Sequence, residues 1–300
     1  MDNRSEVREF LTSRRAKITP QQAGLPAAGQ RRVKGLRREE VAMLAGVSAE
    51  YYARMERGNL SGTSEAVLDS LARALQLDES ERAHLMDLAR TASTTRRPAR
   101  RRAAQPIRPG LQQLLDAMTE APAFIRNGRL DILATNQLGK ALYWPLFQDP
   151  ARPVNMARFQ FLNPAAAEYM TELDHQRAAA AALLRTEAGR DPYNRDLSDL
   201  IGELSTRSEE FRTLWAAHNV RLHHTGLKQF RHPAVGDLTL AFEALPVPTD
   251  PGLTLTALSA EPGTTSDDGL KLLASWAATL DQSDRSNAEF ACNQEISPQP

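Results

Sequence analysis

From the N-terminus to about residue 90, apolar residues recur at helical spacing, and the pattern then changes. Val7, Phe10 and Leu11 mark one face of a helix predicted from about Asn3 to Lys17. Val41, Ala42 and Leu44 mark the buried side of another, and Tyr52 and Met55, three apart, that of the next. Leu68, Leu71, Ala72 and Leu75 predict a helix opened by Thr63 or Ser64 as N-cap and closed near Leu77. Asp78 followed by Glu81 makes a capping-box-like start for one carrying Leu85, Leu88 and Ala89.

The apolar period is lost between Thr91 and Gly110, where six arginines and three prolines occur without an acid, which reads as a linker. Beyond it the period alternates between strand and helix. Asn127-Gly128, between AFIR and RLDILAT, predicts a hairpin. A long helix from about Pro164 to Ala188 ends at Gly189, and shorter ones cover Asp196–Leu204 and Ser208–Ala217. Strands are expected near Leu227–Arg231, Asp237–Leu245 and Leu253–Ala260, with a last helix from about Asp267 to Leu280. Strands, helices, then strands predict an α+β domain. The expected division is therefore 1–90 all-α, 91–109 basic linker, 110–280 α+β, and 281–300 a polar tail expected to be disordered.

Within the first region, EEVAMLAGVSAEYYARMERG reads as a helix-turn-helix. Gly46 suits the positive φ of the turn, Ala42 allows a close helix crossing, and Ser48 is placed to cap the second helix. With Tyr52 and Met55 turned inward, Ala49, Glu50, Tyr51 and Arg54 face outward, where such a helix meets base edges in the major groove. Arginine bonds guanine O6 and N7 bidentately, so Arg54 is the strongest candidate reader. Glu50 suits cytosine N4, and Tyr51 a base or phosphate. Arg31, Arg32, Lys34, Arg37, Arg38 and Arg57 are candidates for phosphate, as are the linker arginines, although basic runs also serve simply to keep linkers solvated.

Charge supports this placement. The chain is formally neutral, but residues 1–109 hold 21 Lys and Arg against 13 Asp and Glu, leaving 16 against 24 in the remainder. A polyanion-binding footprint confined to one region fits double-stranded DNA as the partner. At 41% hydrophobic and 25% charged, the composition is that of a globular chain. The single cysteine, Cys292, excludes an internal disulfide. With no signal-like start and no apolar run of spanning length, a cytoplasmic protein without membrane insertion is expected.

In the second region Phe124, Leu133, Leu142, Tyr143 and Phe147, with Leu214, Trp215 and His218, are numerous enough to line a pocket, and equally are what any core contains. Arg185 or His218 is placed to anchor an acidic head group. His218, His223 and His224 stand at no recognised ligand spacing with a carboxylate or thiol, so no metal is expected. No nucleophile elbow or phosphate loop is present, and no catalysis is expected.

Residues 1–90 resemble the Cro/C1-type, or XRE-type, helix-turn-helix repressors. RRVKGLRREEVAMLAGVSAEYYARMERG resembles more closely the MmyB-like branch, and RSEEFRTLWAAHNVRLHHTGLKQFRHPAVGDLTL resembles that branch's C-terminal domain. The resemblance implies a five-helix, lambda-repressor-like DNA-binding domain followed by a PAS-like domain that holds a fatty-acid-like molecule. It also implies that Glu56 pairs with a first-helix arginine, Arg14 or Arg15. Arg37 departs from the pattern, standing where many such repressors place a Ser or Thr cap.

The expectation is thus a dimeric, DNA-binding transcriptional regulator responding to a small apolar effector and needing no cofactor. The alternatives are a second domain serving only dimerisation or partner binding, and an enzyme fused to a DNA-binding domain.

Overall fold

The computed structural model describes residues 3–26, 31, 33–93, 107–220 and 224–279. Arg32, His223, the linker arginines Arg96 to Arg102, Cys292 and the polar tail lie outside the described residues. The elements are α1 (Asn3–Lys17), α2 (Arg38–Ala45), α3 (Ala49–Glu56), α4 (Glu65–Ala74), α5 (Glu79–Ser93), α6 (Pro109–Ala117), β1 (Ala123–Arg126), β2 (Ile132–Thr135), α7 (Gln137–Leu142), α8 (Trp144–Gln148), α9 (Met156–Leu162), α10 (Ala165–Tyr169), α11 (Leu173–Arg190), α12 (Arg195–Arg207), α13 (Glu209–Ala216), β3 (Thr225–His232), β4 (Gly236–Pro246) and β5 (Thr254–Ser259). A final helix, α14, spans 265–279. The chain divides into two compact units. The first combines residues 1–104 with 178–222, and the second combines 105–177 with 223–300.

The first unit is all helical. Val7, Phe10 and Leu11 of α1 pack with Val41 and Ala42 of α2, Tyr52 and Met55 of α3, Leu68 and Leu71 of α4, and Leu85 and Leu88 of α5. Fully burying a side chain of this size contributes about 1.5–3 kcal/mol, so these stripes are enough to hold short helices together. Leu44 corrects the expected α2 face: it is 37% exposed, and Ala45 takes the inward position, as the helical rotation from Val41 requires.

The helices α12, α13 and most of α11 also belong to this unit. Their link to α1 is ionic. Arg185 of α11 donates to the Glu6 carboxylate and to the Trp215 carbonyl, while its guanidinium lies 4.0 Å from the Trp215 ring centroid. Arg14 donates to the carbonyl of His218, whose backbone takes a left-handed φ of 52°. The imidazoles of His84 and His218 stand 3.8 and 3.9 Å from Glu6. Burial by itself would raise the Glu6 pKa, but His218, His84 and the Arg185 charge together hold its carboxyl far below the ordinary range.

The second unit is built on an antiparallel sheet of order β2-β1-β5-β4-β3, which with its helices makes the expected α+β domain. Register carries one face across the sheet: Lys228 lies opposite Leu240, Gly226 opposite Phe242, Phe242 opposite Leu258, and Thr256 opposite both Ala244 and Phe124. The rings of Tyr143 and Tyr169 meet Phe124 and Phe230 on this face. On the opposite face, Leu115 of α6 packs with Ala123, Ile125 and Leu255.

Two expectations about the chain beyond the linker need correction. The long helix breaks into α10 and α11, because Met170 leaves the helix to make a bridge with Phe230 of β3. Asn127 does not form a two-residue turn. Its Oδ1 accepts the backbone N–H groups of Arg129 and Asp131, which creates a longer loop and delays β2 to Ile132.

Candidate functional site

The helix-turn-helix is assembled from local rules. Gly46 ends α2 with φ 68°, and its N–H and that of Val47 return to Met43 and Ala42. Ser48 Oγ accepts the Tyr51 N–H at 3.1 Å, so α3 starts at Ala49. At the start of α2, Arg37 has no acceptor to offer as a cap. The Glu40 carboxylate instead accepts the Arg37 N–H at 2.7 Å, giving half of a capping box.

Tyr52 and Met55 are fully buried, which leaves Ala49, Glu50 and Arg54 exposed and Tyr51 half-buried. The Arg54 guanidinium sits 4.7 Å from the Tyr51 ring centroid. Stacking on an aromatic face of this kind engages the face of a guanidinium and not its N–H donors. Lys34, Arg37 and Arg57 are also exposed.

The other candidates are engaged within the protein. Arg31 makes a bidentate contact to Glu40, with N···O distances of 2.8 and 2.7 Å, and also donates to the Gly35 carbonyl. The pairing, against the opposing effect of burial, brings the Glu40 carboxyl down to about 2. Arg38 is 58% exposed but its Nε bonds Glu56, and Arg15 Nε bonds the other oxygen of the same buried carboxylate at 2.6 Å. Arg15, not Arg14, is therefore the first-helix partner, and Glu56 ties α1, α2 and α3 into one frame. Spacing along the chain shows the arginines but not these partners.

The residues expected to line a ligand pocket are not all brought together. Phe124, Leu142 and Tyr143 are buried in the second unit with Phe147 half-buried beside them, but Leu133 is 37% exposed, because strand alternation turns it outward. Arg185, Leu214, Trp215 and His218 belong to the first unit, where Arg185 and His218 face Glu6. Glu6, Glu9 and His218 offer ligand atoms within 4.8 Å of one another, a convergence that chain spacing does not reveal, but Arg185 already supplies the cation at Glu6.

Sequence reasoning missed Lys228. It stands on the helix-covered face of the sheet, with Nζ 3.4 Å from Tyr143 Oη and 5.0 Å from the Phe242 ring centroid. The residue is half-buried, and burial, aided by the Arg126 charge, brings its pKa down to about 7. The available signal was a lysine in phase with Phe230 and His232 on a strand of period two.

Comparison with known proteins agrees with this architecture. The family model of the MmyB-like transcription regulator ligand binding domain matches residues 107–273, and a helix-turn-helix domain model matches residues 11–85. No curated protein matches the chain. Among the described residues, no helix is long and apolar enough to cross a membrane.

Proposed function

Because this chain belongs to the MmyB-like transcription regulators and carries a helix-turn-helix, it is a DNA-binding transcriptional regulator, and we propose that it reads its operator as a homodimer under control of a small apolar, fatty-acid-like ligand. Arg54, Glu50 and Tyr51 contact base edges from α3, while Ser48 and Ala49 bring the helix N-terminus to the backbone. Lys34, Arg37 and Arg57 contact phosphate, and Arg31 and Arg38 position the reading helices through Glu40 and Glu56. The observation that carries the reading is the exposed, Tyr51-stacked Arg54 on a helix whose other side is locked into the core.

The control proposal rests on a second observation. Residues 178–222 fall inside the matched ligand-binding region, yet they pack with α1 and α5 in the first unit. A ligand that shifts this segment acts on the DNA reader directly, with coupling of about 1–3 kcal/mol expected from such systems. Dimerisation follows from the short half-site that one such domain reads and from the two-fold symmetry of palindromic operators.

The test is operator affinity measured by fluorescence anisotropy across a titration of fatty acids, with the mass of the complex determined by light scattering. A bound ligand that leaves operator affinity unchanged removes the sensor reading, and a one-protomer complex removes the dimer. A second reading, in which the C-terminal region serves only self-association, draws on Leu227 and Leu245, 64% and 53% exposed on the sheet face opposite Lys228. Loss of the dimer in a Leu227→Glu, Leu245→Glu variant that keeps its ligand response would assign both roles to this region.

A further inference from the structure

His218 stands just past the end of α13 with a left-handed backbone, φ 52°, at a position that glycine or asparagine usually takes. A histidine there accepts backbone strain of about 1–2 kcal/mol, so its side chain has to supply contacts that glycine lacks. Those contacts are with acids. Nε2 lies 3.2 Å from Glu9 Oε2 and Nδ1 lies 3.9 Å from Glu6 Oε1, in a residue that is 9% exposed. Nδ1 is buried without a hydrogen-bond partner. A neutral imidazole has one N–H and one lone pair, so in either tautomer one nitrogen turns a lone pair toward a carboxylate. The imidazolium donates on both sides.

The surrounding charges favour that proton. Toward His218, α1 presents Glu6, Glu9 and Arg14, and Glu81 of α5 lies behind Arg14. His84 of α5 and Arg185 of α11 approach the same Glu6 carboxylate. Lys17, bonded to Asn219, and Asp78 both act on Arg14 and carry opposite charges. Arg185 pairs with Glu6 and Arg14 with Glu81, which leaves Glu9 with the Ser5 hydroxyl and His218 as its partners among the described residues. A proton on His84 would instead be fully buried beside a carboxylate whose charge Arg185 already meets, and burying a charge is costly.

We infer that His218 is a proton-operated clasp, which on protonation fastens the C-terminal end of α13 to Glu6 and Glu9 of α1. In the fastened state the added N–H meets a carboxylate, and in the released state it meets only water. Acidification across the range in which imidazoles titrate therefore favours fastening, and the contribution is lost as pH rises. Because Arg15 and Glu56 tie α1 to the reading helix, the clasp gives the frame of the DNA reader a dependence on proton concentration that needs no ligand.

The experiment is amide hydrogen exchange of α13 in the full-length protein at pH 7.5 and pH 6.0, corrected for intrinsic exchange rates and run in EDTA to exclude cation binding by Glu6, Glu9 and His218. In the wild type the protection of α13 is expected to increase roughly threefold or more at the lower pH. His218→Asn keeps a residue suited to left-handed backbone but does not titrate, and it should lose the increase. Glu9→Gln, at a side chain 42% exposed, should keep less than about half of it. If circular dichroism shows His218→Asn to be unfolded, Glu9→Gln decides alone. No increase in the wild type, or half or more of it retained in either folded variant, overturns the clasp and leaves His218 as a helix terminator only.

Discussion

Arg185 of α11 donates to the carboxylate of Glu6 on α1, and both side chains are almost fully buried. The pair joins the helix that packs against the helix-turn-helix to a residue 179 positions further along the chain. Removing one partner strands the other charge, so Arg185→Ala is expected to destabilise the first unit by about 3–5 kcal/mol, whereas a double replacement of Glu6 and Arg185 by leucine recovers most of the loss. Denaturant unfolding of the two variants and the wild type is the measurement. Equal losses in both would show that packing, not charge, dominates the contact.

The same carboxyl sets an acid limit. Its folded pKa is depressed, so its contribution is fully present above the unfolded value of 4.5 and declines as pH falls below that toward the lower folded value. Glu6→Gln should flatten stability measured between pH 5 and pH 2.5. A wild-type and variant pair with parallel profiles would contradict this.

At Lys228 a pKa depressed in the same direction favours the uncharged form instead. Its folded pKa of about 7 lies below the unfolded 10.5, so the fold favours the neutral amine and ligand-free stability should rise from pH 7 toward pH 10. Lys228→Met should remove that rise and increase Tm at pH 7 by a few degrees, since a change of about 1 kcal/mol moves Tm by roughly 2–4 °C in a domain of this size. Thermal melts across that pH range check both statements.

On the DNA side the variants should separate by role. Arg54→Ala is expected to lose about 1–3 kcal/mol of preference for operator over a sequence altered at the contacted base pair. Lys34→Ala or Arg57→Ala should weaken binding to all sequences and reduce the slope of log affinity against log salt by about 0.9 each. A change in salt slope for Arg54→Ala without a change in preference would make it a phosphate contact.

Gly189 offers a packing test. A Cβ there would lie 2.3 Å from His84 Cε1, inside a helix that has no other need of glycine. Gly189→Ala should therefore cost about 1–3 kcal/mol despite alanine's better helix propensity. Unchanged or increased stability would mean that the His84 ring can move aside.

The helix-turn-helix was legible because its determinants are local: Gly46 in the turn, Ser48 at the cap, and Tyr52 and Met55 at inward spacing. The strands β3 to β5 were legible from period two, most clearly in the strict alternation of β4. What escaped were features set by distant partners. Nothing near Arg31 or Arg38 announces that Glu40 and Glu56 will hold them, and nothing near Arg185 points to Glu6. Lys228 was overlooked for a related reason: a charge on a strand suggests solvent, and its phase with Phe230 and His232 gains its meaning from the register across β4 and β5, which puts that face among rings.

The inclusion of residues 178–222 in the first unit bears on how such a regulator can be recombined. A cut at the linker would give an N-terminal fragment whose Glu6 and His84 face water or each other, without Arg185 and Gly189 against them. Exchanging helix-turn-helix domains between relatives therefore means exchanging two stretches of gene together, one encoding α1 to α5 and one encoding α11 to α13. Over evolutionary time, the two are expected to change in step at the positions facing Glu6.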